Sequence, residues 1–201
     1  MMSKFIVQDN VIATANNLIA NKLLFRIAIV TELITALAVI IPLSLAFYLI
    51  LKSVNKNIAL FALVLKLTEG IIVAVISLLN FVALQILNGE SYLTEFRPEQ
   101  VQSLIGLFVN GRNAIYSIPM VFLGLGTAVF FYLFLKSKYI PKALAVFGII
   151  SYLLVFMQSL LNMVAPQYAT IMIIQIICLT PSFLAELIIG PWLFIKGVKE
   201  Q

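Results

Sequence analysis

Of the 201 residues, 63% are hydrophobic and 10% charged, far from the roughly 45–50% and about 25% of soluble domains. A water-soluble fold of this size cannot bury so much apolar surface, and the net charge of +5 falls in short lysine clusters between apolar runs, the pattern of membrane orientation and not of a nucleic-acid-binding face. The absence of histidine and the single cysteine, Cys178, exclude a Ser-His-Asp triad, His-ligated metal, an internal disulfide and a multi-cysteine metal site.

The first twenty or so residues are polar and asparagine-rich. They lack the basic, apolar, small-residue order of a cleavable signal peptide, so membrane targeting falls to the first apolar helix. A helix needs about 20 mostly apolar residues to cross the bilayer. Five segments meet this, from about Leu23 to Leu51, Ile58 to Leu87, Ala114 to Leu135, Ile140 to Val164 and Ala169 to Ile195. Apolar residues come in long blocks without the alternation of a β-barrel. The expected fold is an all-α polytopic transmembrane helix bundle, residues 1–201 forming one domain.

The connections are punctuated by Lys52 to Asn57, by Lys136 to Tyr139 ahead of Pro141, and by Asn162 to Gln167 with Pro166. In the longest, Asn88 to Asn113, the run Arg97-Pro98-Glu99-Gln100 reads as a helix start. Val101, Leu104, Ile105 and Phe108 then form one apolar stripe, which predicts a short helix over about 98–110. It is read either as lying in the membrane interface or as a lid packed on the bundle.

Lys52 and Lys56, then Lys136, Lys138 and Lys142, then Lys196 and Lys199 occupy alternate connections, and the intervening one carries Glu90, Glu95 and Glu99 beside Arg97 and Arg112. The positive-inside rule places the C-terminus in the cytoplasm and the N-terminus outside.

Five charged residues, Arg26, Glu32, Lys66, Glu69 and Glu186, fall within or at the ends of the spans. A charge at the bilayer centre costs about 2.5–3.5 kcal/mol on insertion scales, so such residues are kept when paired, neutralised or facing water. Counted from the cytoplasmic side, Lys66 and Glu186 lie at nearly one depth, and Lys66 and Glu69 are i, i+3 neighbours. Lys66 is therefore expected to bridge Glu69 and Glu186. Two readings stand: a buried polar site for an ion, proton or small solute, or a charge-paired lock on helix packing. Arg26 and Glu32 lie nearer the outer surface, and Arg26 is expected to snorkel to the headgroups. With Asn162, near the outer end of the fourth span, they are secondary candidates. Asn80, Gln85, Gln158 and Gln175 are further polar residues in the spans; hydrogen bonding between helices is their plainer reading. Pro42, Pro119, Pro181 and Pro191 each free a helix carbonyl. Gly124-Leu125-Gly126 reads as a close helix contact.

Several blocks of the sequence resemble the bacterial multi-helix membrane proteins catalogued as domain of unknown function 4386. They are Thr14 to Arg26, Lys52 to Phe61, Leu65 to Gly70, Lys136 to Lys142, and Glu186 through Trp192 to Gly197. The resemblance implies an all-helical bundle in a bacterial plasma membrane, and no activity. It also implies a basic residue at Lys66 and acids near Glu69 and Glu186. Two departures stand out. Family members usually have a further apolar helix before the first block, and they tend to carry a histidine where this chain has Gly126.

The expected function is a membrane protein that binds or passes a small solute or ion through Lys66, Glu69 and Glu186. The rival is a structural or regulatory subunit whose charges only fix packing. An intramembrane enzyme using Glu69 or Glu186 as acid or base comes last, since no nucleophile or metal set accompanies them. No cofactor, catalytic residue, metal site or nucleic-acid partner is expected; the lipid bilayer is the expected partner.

Overall fold

The computed structural model describes residues 11–87, 97, 100 and 115–196. Helix α1 (Val11–Ala20) ends at Asn21, whose side-chain amide donates to the Asn17 carbonyl at 2.9 Å. The first membrane-length helix follows as α2 (Lys22–Ile34), a π-helical stretch Thr35–Ile40, and α3 (Ile41–Leu51). Pro42 explains the interruption. It has no N–H for the carbonyl four residues back, and the wider π turn ahead of it restarts the helix with proline in the first turn, where no N–H is required.

Helix α4 (Lys56–Leu87) opens on Asn55, whose side-chain oxygen accepts the Ile58 N–H at 3.0 Å, an N-cap that satisfies an otherwise unbonded donor. Then come α5 (Ser117–Ser137), α6 (Lys142–Val164), the short α7 (Pro166–Ala169) and α8 (Met172–Lys196). Pro181 and Pro191 sit inside α8, which remains helical throughout. The break assigned to 162–167 thus includes a separate turn of helix, and the fifth span begins at Met172 instead of Ala169.

Among the described residues every regular element is helical, and five helices are long and apolar enough to cross a membrane. Their exposed surface is compatible with that setting. In the most apolar stretches of the first and fifth helices only 11% of residues are buried, against 50% in the third. Met172 and Ile173 are 73% and 68% exposed. Six hydroxyls within these helices are satisfied locally, as suits a lipid environment. Thr31, Thr35, Ser44, Thr68, Ser151 and Ser159 each donate to the carbonyl four residues back.

The chain divides into two compact units, Met1–Val39 with Ile71–Tyr116, and Ile40–Gly70 with Ser117–Gln201. In the first, Phe25, Ala28 and Ile29 of α2 and Val73, Ile76 and Leu84 of α4 are buried. The helix expected over 98–110 lies outside the described residues except for Gln100. That residue is helical; its side chain accepts the Arg97 N–H at 2.9 Å, and its own N–H donates to the Arg97 carbonyl at 2.9 Å. This is half of a capping box.

The second unit has the larger core, centred on Phe130, Phe131 and Phe134 of α5. Phe47 of α3 meets Phe130 and Phe134 edge-on, and Phe131 stacks on Tyr152 of α6. Two glycines let α5 and α6 approach. A Cβ on Gly124 would lie 2.7 Å from the Phe156 nitrogen, and one on Gly148 would lie 2.6 Å from the Phe131 ring. Small residues at such contacts let helices associate by close packing where no hydrophobic force acts between them.

Candidate functional site

Three helices of the second unit bring polar residues to one depth. Counted from the lysine-bearing end of its own helix, Lys66 is the eleventh residue of α4, Tyr152 the eleventh of α6 and Glu186 the eleventh from the end of α8. At about 1.5 Å rise per residue this is about 15 Å in, half of the roughly 30 Å hydrocarbon thickness.

Lys66 Nζ lies 2.5 Å from Glu69 Oε2, and both residues are buried, at 9% and 3% exposure. One helical turn separates them, which is why they meet without any help from a second helix. The contact is a short ion pair, and no other donor reaches Glu69 Oε2. Gly126 of α5 backs the lysine, since a Cβ there would come within 3.2 Å of Lys66 Cγ. The space a side chain would occupy at Gly126 is thus already filled by the stem of Lys66.

Glu186 behaves differently. The expected bridge from Lys66 to Glu186 is not formed: Lys66 pairs with Glu69, and Glu186 Oε1 accepts a hydrogen bond from the Tyr152 hydroxyl at 2.6 Å. The reason is geometric, because the i, i+3 partner is always in reach whereas a partner on another helix depends on packing. Nor is Glu186 buried; it lies on the exposed side of α8 beside the buried Ala185. It remains within Coulombic range of Glu69. Among the described residues Glu186 has no ion-pair partner, so this centre holds two carboxylates and one ammonium.

Tyr152 is the member that sequence reasoning missed. The signal was the count from Lys142, which puts its hydroxyl at the depth of Lys66 and Glu186. On α5 the buried Thr127 hydroxyl has no partner.

The secondary candidates separate. In the first unit Glu32 accepts hydrogen bonds from Tyr116 at 3.1 Å, from the Asn80 amide at 3.1 Å and from Ser77 at 3.5 Å. Arg26 is exposed. In the second unit Asn162 donates to Ser117 at 2.6 Å, and Gln158 donates to the Ala169 carbonyl at 2.9 Å, tying α6 to α5 and to α7. These are packing bonds, and Gln158 and Asn162 do not meet the Lys66 centre through any of them.

Comparison with known proteins adds one relationship. A family model described as Domain of unknown function (DUF4386) matches residues 1–197. No curated protein and no solved structure matches the chain.

Proposed function

The chain belongs to the family described as Domain of unknown function (DUF4386), and from that premise we propose that it is a non-enzymatic multi-pass membrane protein that takes up a small cation, a metal ion or a proton, at Lys66, Glu69 and Glu186. The observation that carries this is the charge count at mid-membrane depth. Lys66 is already matched by Glu69, and Glu186 is exposed, held only by a neutral Tyr152 hydroxyl. An uncompensated carboxylate at this depth is costly and gains most from an arriving positive charge. The Lys66–Glu69 pair favours a second, structural reading for those two residues alone, in which they fix α4 against α5 at Gly126.

The proposed setting is a bacterial plasma membrane with the C-terminus in the cytoplasm. Supporting it, Lys52, Lys56, Lys136, Lys138, Lys142 and Lys196 are all exposed at helix ends. The turns carrying the first two groups also meet, with Ser53 Oγ and Tyr139 Oη 3.4 Å apart.

Thermal unfolding in detergent tests the uptake, with choline chloride replaced at constant ionic strength by lithium, sodium, potassium or magnesium chloride, and in a separate pH series. A ligand that binds only the folded state stabilises it by about 2.7 kcal/mol at a hundred times its Kd. Wild-type protein is expected to be stabilised by a cation or by acid in a way that Glu186→Gln abolishes. Superimposable responses of wild type and Glu186→Gln across both series would overturn the proposal.

A further inference from the structure

At the lysine-bearing end of the second unit a recess of about 560 Å³ is lined by Leu135, Lys138, Ile140, Pro141 and Lys142, within the range of small-ligand sites. It belongs to the connection between α5 and α6 and is separate from the Lys66 centre. Its walls combine two kinds of surface. Leu135, Ile140 and Pro141 are apolar, whereas Lys138 and Lys142 are exposed ammonium groups four residues apart with no carboxylate on the lining.

The turn is built to hold this shape. Ser137 donates to the Phe134 carbonyl at 3.1 Å and accepts the Tyr139 N–H at 3.3 Å. Between these bonds Lys138 takes φ = 57°, a left-handed conformation that a non-glycine residue adopts at a cost and that clusters at binding sites. Helix α6 then opens at Pro141 without a side-chain cap, leaving first-turn N–H groups to an anion or to water. Lys136 is turned elsewhere, over the Tyr132 ring with 5.0 Å to its centroid.

The geometry points to a binding site for an anionic phospholipid, its phosphate between Lys138 and Lys142 and the start of its acyl chains against Leu135, Ile140 and Pro141. Position argues for a lipid over a soluble anion. The recess lies where two membrane-length helices end, which is headgroup level, and its apolar floor has no use for inorganic phosphate. Each lysine near an anionic surface contributes on the order of fivefold to lipid binding, so the two together supply about thirtyfold.

The test uses full-length protein in a neutral detergent, titrated with phosphatidylglycerol, with phosphatidylcholine, or with inorganic phosphate. Bound lipid is counted by intact-complex mass spectrometry and thermal stability is followed in parallel. The variant is Lys138→Asn with Lys142→Gln, since asparagine tolerates the left-handed backbone while losing the charge. Lys52→Gln with Lys56→Gln removes the same charge from the neighbouring turn. Phosphatidylglycerol is expected to bind wild type and the Lys52/Lys56 variant alike, and to bind the Lys138/Lys142 variant about thirtyfold more weakly. Equal weakening in both double variants would reduce the recess to general surface charge and overturn the site. Equal binding of phosphatidylcholine would remove the role of the lysines. Stabilisation by inorganic phosphate matching that by the lipid would overturn the lipid assignment.

Discussion

Replacing Lys66 by methionine is expected to destabilise the protein in detergent by about 3–5 kcal/mol, the cost of leaving a buried charge without its partner. Glu69 is 3% exposed and its Oε2 has no hydrogen-bond donor to fall back on, so it cannot trade the lysine for water. Glu69→Gln is expected to be damaging for the reciprocal reason, since Lys66 is also buried, at 9% exposure. The double variant Lys66→Met with Glu69→Gln should recover at least half of the larger single loss, because removing both charges leaves nothing stranded and neutral replacement of buried ion pairs is often well tolerated. Glu186→Gln is expected to stabilise the protein modestly in choline buffer, because it removes a carboxylate that no cation compensates there. Glu186 is exposed, and a glutamine carbonyl still accepts the Tyr152 hydroxyl. Chemical or thermal unfolding of the four variants checks the set. Additive losses in the double variant would mean that Lys66 and Glu69 are not coupled, against the observed pair.

Gly124→Leu is expected to be worse than the same substitution at Gly126, Gly148 or Gly190. Its Cβ alone would meet the backbone of α6, at 2.7 Å from the Phe156 nitrogen and 2.8 Å from the Tyr152 carbonyl oxygen. Backbone atoms of a packed helix cannot rotate away, so α5 and α6 must separate along their whole contact. Overpacking usually costs about 1–3 kcal/mol where side chains can adjust, and here the loss should lie at or above the top of that range. Separation would also move Tyr152, which lies on the same stretch of α6 and holds Glu186. Gly126→Ala offers the contrast. The nearest atoms there are Leu65 Cβ and the flexible stem of Lys66, at 3.1 Å and 3.2 Å, so a small loss is expected. Comparing the unfolding midpoints of the two variants checks this, and a Gly124→Leu protein as stable as Gly126→Ala would show that α5 and α6 do not approach as described.

The helical class was legible in the sequence for a simple reason: the length and apolarity of a membrane helix are properties of one contiguous segment. The Lys66–Glu69 pair was legible too, because an i, i+3 spacing on one helix fixes the neighbours before any tertiary packing. Glu186 was harder. Its depth could be counted along α8, but which way it faces and what it touches depend on how α6 and α8 pack, and that packing rests on glycine and phenylalanine shapes with no spacing rule. Tyr152 was passed over because a tyrosine in an apolar run reads as core, and it is indeed buried at 4% exposure; its hydroxyl matters only once a carboxylate arrives from another helix. The π-helical stretch before Pro42 shows the same limit. A proline announces a disturbance, but whether the helix kinks or widens to a π turn is decided by its surroundings.

On the proposed function Glu186 is the carboxyl of the Lys66 centre that exchanges a positive charge, and a lipid-soluble carbodiimide, which attacks protonated carboxyl groups, reads this directly. Purified protein would be treated in choline buffer with and without the stabilising cation, at mildly acidic and alkaline pH, and the modified residue located by peptide mass spectrometry. Modification is expected at Glu186, suppressed by the cation or by alkali, with Glu69 left unmodified in its ion pair. Failure to modify Glu186 under any of these conditions, or modification of Glu69 as fast as Glu186, would contradict the account.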